Sequence, residues 1–230
     1  MYEEDLTYQE INNDGYFDFA CKNGHECFIV LQEAPFELLF QAGVVSFCID
    51  DYRSAVFNFA SAFERYLEFC IKVFIFSDGR THDLFNEVWK GVANQSERQL
   101  GAYYFLYYQL LHSSPKRLDD KMSNIRNRVI HKGEFPSQND AMQYGNYVYS
   151  YVCDTLDVFQ DNLNDRWHIG KGLAINHHCA NSHSKLDKSQ PNKKVVAMSI
   201  PTYMSLSRPM TMSFDEIISD YQSFKVKLTK

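Results

Sequence analysis

The sequence predicts a mainly α-helical bundle with an N-terminal β-ribbon and a C-terminal extension. Three observations carry that expectation. Apolar residues recur at three- and four-residue steps from about 50 to 76, the period of one helix face. A second such stripe follows Ser137 and Asp140, a pair with the form of a capping box. Near the start, β-favouring side chains flank Asn23-Gly24, a pair that tolerates the positive φ of a tight turn.

Taken in order, residues 1–34 hold the ribbon, with strands expected within Tyr16 to Leu31. Residues 35–164 form the helical domain. Pro35 opens a short helix over "PFELLFQAGVVSFC", because proline suits the first helical position. The next helix, about Asp50 to Phe76, buries Val56, Phe59, Phe63, Tyr66, Leu67, Cys70 and Phe74, and Asp78-Gly79 ends it. A weaker helix covers His82 to Ala93. Ser96 reads as the N-cap of "ERQLGAYYFLYYQLL", which is apolar nearly all round and is expected to be central. A further helix runs from about Leu118 until Gly133 and Pro136 stop it. A long last helix carries Met142, Gly145, Val148, Tyr149, Val152, Leu156 and Phe159 on its apolar stripe. In the extension, residues 165–230, the polar His-, Asn- and Ser-rich stretch to Lys194 reads as a mobile excursion; "KVVAMSIPTYMSLS" reads as strand and "SFDEIISDYQSF" as a short helix.

Composition narrows the function classes. The chain has 230 residues, 45% hydrophobic and 15% aromatic, so it can bury a sizeable core. A net charge of -6 argues against a surface that binds nucleic acid everywhere, so RNA contact must be local. Of six cysteines, Cys48, Cys70 and Cys153 fall within apolar helical patterns, where free thiols behave as small hydrophobes. Together with the acidic start and the lack of any long apolar run, this suggests a soluble cytoplasmic protein with no membrane contact.

The functional signal is "SNIRNRVIHKGEFPSQND". It sets Arg126 and Asn127 beside His131, then breaks the helix so that the imidazole stands at the rim. An imidazole can take a proton from one oxygen and return it to another. A guanidinium matches the charge of a phosphate under attack. Asn127 can orient a reacting group. These are the parts needed to cleave RNA without a metal, with the ribose 2′-hydroxyl as nucleophile, and no cofactor is expected. Lys116, Arg117, Lys121, Arg126, Arg128 and Lys132 concentrate positive charge around the motif, with Arg128 and Lys132 as substrate-binding candidates.

"RNRVIH" resembles the Arg-Asn-x-x-x-His form of the R-x4-6-H signature of HEPN domains, and "AVFNFASAFERYLEFCIKVF" is similar to their first core helix. The resemblance spans about Pro35 to Asn162. It implies an all-α bundle that forms a homodimer, in which two motifs meet as one composite endoribonuclease site. It further implies a toxin–antitoxin or phage-defence setting, with an antitoxin or regulatory protein as partner. By position, Arg126 and His131 would be catalytic, Asn127 the polar companion, and Glu64 the first-helix acid supporting them. Gly133 stands where toxins paired with nucleotidyltransferase antitoxins often carry tyrosine, which points away from that partner class.

Other readings compete. The same domain could be a catalytically inactive nucleotide- or RNA-binding module, or a scaffold for protein interaction. Cys21, His25 and Cys27, joined by His177, His178, Cys179 or His183, could contribute to zinc, although C-x3-H-x-C is not a standard knuckle. Tyr103, Tyr104, Tyr107 and Tyr108 could stack on bases, but their helical spacing favours packing in a core or dimer interface.

Overall fold

The computed structural model describes residues 10–20, 24–80, 82–186, 193–206 and 210–228. It is mainly helical, as expected, with eight helices and three strands among those residues. They form two compact units. One comprises the described residues of Met1–Glu33 and Ile175–Ile200; the other comprises Ala34–Ala174 and the described residues of Pro201–Lys230. The stretch 165–230 is therefore divided between the two units.

In the first unit β1 (Tyr16–Ala20) pairs antiparallel with β2 (Glu26–Leu31), Tyr16 opposite Val30 and Ala20 opposite Glu26. Their connection includes Cys21 to Asn23, which lie outside the described residues. The expected two-stranded ribbon is a three-stranded sheet: β3 (Lys194–Met198) adds parallel to β2, with Cys27 opposite Lys194. Phe28, Val30 and Leu31 are buried.

The helical unit is built on α1 (Pro35–Cys48) and α2 (Tyr52–Ser77). Pro35 occupies the first position of α1, and Glu37 folds back to accept the Ala34 N–H at 2.7 Å. Asp51 caps α2 by accepting the Ser54 N–H at 3.0 Å. Buried residues run from Ala55 to Phe76 around most of α2, which makes this helix the centre of the unit. It packs against α1, α3 (His82–Trp89), α4 (Ser96–Leu111), α5 (Asp120–His131) and α6 (Gln138–Leu163).

The central place expected for the apolar helix after Ser96 thus belongs to α2. α4 buries only Gln99, Tyr103 and Tyr107 and leaves Phe105 78% and Tyr108 63% exposed, because α2 covers a single stripe of it. Its cap is Gln95 and not Ser96, which is already helical. α6 begins as expected, with Ser137 and Asp140 satisfying each other's backbone N–H. At Gly145 a side chain would collide with Phe214 and Phe59, so the missing Cβ lets α8 (Phe214–Leu228) approach α6.

The expected mobile excursion is instead α7 (Asp165–Ser184). Residues 165–174 belong to the helical unit and 175–184 to the sheet unit. Trp167 and Ala174 are buried, and packing of this kind overrides weak helix propensity. Among the described residues no helix is long and apolar enough to cross a membrane.

Candidate functional site

The site is assembled by α5, its following turn and α2. Asp119 caps α5 by accepting the Met122 N–H at 3.0 Å. Met122, Ile125 and Val129 lie on the buried face and fix the rotation of α5. Arg126, beside that face, is drawn into partial burial, while His131 is the last residue of the helix and is exposed. Gly133 then takes φ +70°, and the Glu134 N–H returns to the Arg128 carbonyl at 3.1 Å. This left-handed turn closes the helix end and leaves the imidazole on the rim.

All four residues assigned to catalysis in the sequence come together. Arg126 Nη2 donates to Glu64 Oε1 of α2 at 2.5 Å, with the two side chains 26% and 31% exposed. Arg126 Nη1 lies 3.3 Å from Asn127 Oδ1 and 3.5 Å from His131 Nε2. Five residues of helix set Arg126 and His131 about 140° apart around the axis, so the length of the arginine side chain closes the gap. A guanidinium has no lone pair, so the 3.5 Å contact can be a hydrogen bond only when Nε2 is unprotonated. In that state the lone pair of Nε2 meets the guanidinium, and a substrate hydroxyl must displace this long contact before Nε2 can take its proton.

The substrate-binding candidates separate. Arg128 faces Glu134 at 3.5 Å and Asp140 at 3.6 Å, so two carboxylates offset its charge. Lys132 is exposed, with no ion pair among the described residues. Lys116 pairs with Asp154 at 2.7 Å, and Lys121 donates to Gln143 at 2.7 Å. Among the described residues, carboxylates thus offset Lys116, Arg126 and Arg128, whereas Lys121 meets only a neutral amide and keeps its charge, as Lys132 does.

A cleft of about 230 Å³ opens beside the guanidinium, with Arg126, Asn127 and Glu64 on its wall. Leu67, Leu100, Leu118 and Met122 contribute apolar surface, and Ser96 and Glu97 border it from the first turn of α4. Tyr144 and Tyr147 of α6 complete it; burial pushes the Tyr144 hydroxyl up, against the pull of Arg126. The motif alone does not indicate these last residues. Their only sequence trace is the three-residue step of Tyr144 and Tyr147 on one face of α6.

The other candidates do not converge. Tyr103 and Tyr107 are buried among Phe74 and Phe159, so these two tyrosines pack the core. Cys21 lies outside the described residues, and no three His, Cys, Asp or Glu residues are placed to hold a metal among those described. Comparison with family models, with curated proteins and with solved structures finds no match to this chain.

Proposed function

We propose that the protein is a metal-independent endoribonuclease of the HEPN type, acting on RNA as a homodimer in the cytoplasm. The observation that carries the proposal is the contact set of Arg126, which joins Glu64, Asn127 and His131 at one exposed helix end. In the reaction His131 takes the proton of a ribose 2′-hydroxyl, and the oxygen attacks the adjacent phosphorus. The O2′–P bond forms, the P–O5′ bond breaks, and a protonated imidazole supplies the proton that the O5′ leaving group needs. Arg126 stabilises the pentacovalent phosphate, while Glu64 holds the guanidinium in place. Two protomers, each exposing His131, would supply one proton acceptor and one donor. A toxin or phage-defence role with an antitoxin or regulatory partner accords with the resemblance of the motif.

The chemistry leaves a signature. With EDTA present, the products should be a 2′,3′-cyclic phosphate and a 5′-hydroxyl, and 2′-deoxy substitution at the cleaved nucleotide should abolish cleavage. Cleavage leaving a 5′-phosphate, or cleavage that requires added metal, would refute the mechanism.

A second reading, a non-catalytic RNA- or nucleotide-binding module, draws on the Glu64 carboxylate that already neutralises Arg126. It predicts RNA binding without any cyclic phosphate product.

A further inference from the structure

The cleft beside Arg126 is poorly suited to phosphate. Glu64 and Arg126 offset each other on its wall, which leaves Glu97 as a negative charge on the border that opposes a phosphodiester there. Its apolar surface, from Leu67, Leu100, Leu118 and Met122, suits an uncharged planar ring. At about 230 Å³ it falls below the roughly 300–1,000 Å³ of pockets for drug-sized ligands, which fits a single base better than a whole nucleotide.

The polar groups on the border narrow the choice of base. Glu64 Oε1 is taken by Arg126. Glu97 is exposed and makes no ion pair among the described residues, so its carboxylate offers two acceptor oxygens. It stands in the first turn of α4, whose Gln95 cap makes no side-chain hydrogen bond, so backbone N–H donors accompany the carboxylate. A carboxylate accepts two parallel hydrogen bonds from a pair of adjacent donors. Guanine presents such a pair, N1–H and the N2 amino group, with the O6 acceptor beside them. Adenine and cytosine offer one amino donor next to an acceptor nitrogen, which a carboxylate repels. Uracil offers a single N–H between two carbonyls.

We propose that this cleft is a guanine slot, holding the base of a nucleotide beside the scissile phosphate with its N1–H and N2 amino edge on Glu97. The proposal rests on the ribonuclease reading for the phosphate, but not for the base contact itself.

The test uses the full chain and short oligonucleotides carrying one 2′-deoxynucleotide at the scissile position, which cannot be cleaved by attack of the 2′-hydroxyl. Fluorescence anisotropy should give a Kd at least about tenfold lower for guanine than for adenine, cytosine or uracil, within the discrimination expected of one bidentate contact. Hypoxanthine, which lacks the N2 amino group, should fall between. Glu97→Gln should remove the preference with at most a small drop in melting temperature, since the residue is exposed and only the favourable charge in the first turn of α4 is lost. Equal affinity for all four bases, or a guanine preference that survives Glu97→Gln, would overturn the slot. If cleavable RNA is cut with no base preference, the slot falls and the nuclease reading stands. If guanine binds selectively but RNA is never cut, the slot stands and the nuclease reading falls.

Discussion

Arg126 is bound on both sides: Nη2 meets Glu64 at 2.5 Å across the α2–α5 contact, and Nη1 reaches 3.5 Å toward His131 Nε2. The carboxylate holds one side of the guanidinium, and Asn127 Oδ1 and His131 Nε2 lie at the other, where the proposed reaction would bring a substrate oxygen.

In the proposed mechanism Glu64 is a positioning residue. Glu64→Gln keeps the shape and one hydrogen-bond acceptor but loses the charge, and kcat should fall about tenfold with KM nearly unchanged. Because the pair is a quarter to a third exposed, the same change should alter stability by less than about 1 kcal/mol. Steady-state kinetics alongside urea unfolding separate the two effects; an intact kcat would remove Glu64 from the site.

Gly145 tests the packing that brings α8 onto α6. An added Cβ would lie 2.5 Å from Phe214 Cζ and 2.7 Å from Phe59 Cε2. Gly145→Ala should destabilise the protein by about 1–3 kcal/mol, as overpacked cores do. Adding Phe214→Leu to that variant should recover part of the loss, because the two sites are in contact. Thermal melts of both variants give the answer, and an unchanged melting temperature for Gly145→Ala would contradict the packing.

Asp51 links helix capping to acid stability. Hydrogen bonds from the Ser54 side chain and its N–H hold the Asp51 carboxyl below its usual 3.8. A carboxylate with a lowered folded value adds stability above about pH 4 and loses it as pH falls through that lowered value. Asp51→Ala should cost about 1 kcal/mol at pH 7, and the gap from wild type should narrow by pH 2–3. Urea midpoints at the two pH values measure this; a gap that widens in acid would be the wrong sign.

Cysteine labelling probes burial. Cys70 is fully buried, and burial drives its thiol far above the ordinary range; burial likewise pushes the Cys153 thiol up to about 11. At pH 8 that leaves on the order of a thousandth of Cys153 as thiolate, the reactive form. Half-buried Cys27 should take up a thiol reagent before either. Mass mapping that finds Cys70 labelled as fast as Cys27 would contradict the core.

What the sequence made legible was local chemistry. Pro35, Asp78-Gly79, Ser137 with Asp140, and Gly133 mark helix ends through their own backbone preferences, and the helices begin or end at or beside those marks. The fourfold grouping at Arg126 was legible because Asn127 and His131 share its helix; only Glu64 had to come from a distant element. What could not be read was set by long-range contact. In α7, "HIGKGLAINHHC" has glycines and asparagine that weaken a helix, yet Gly170 lies so near the Val73 carbonyl that a Cβ there would sit 2.5 Å away. The glycine that reads as a breaker permits the packing. Likewise β3 joins β2 across most of the chain, and Arg128, a surface cation in sequence, meets Glu134 and Asp140 only after α5 turns into α6.

The most direct test is cleavage of a mixed-sequence RNA in EDTA by wild type, Arg126→Ala and His131→Ala, with circular dichroism and sedimentation recorded for each. A metal-independent nuclease acting through this pair should cleave as wild type and lose at least about a hundredfold in each variant, with fold and oligomeric state retained. Undiminished cleavage by both variants, or none by the wild type, would contradict the proposal.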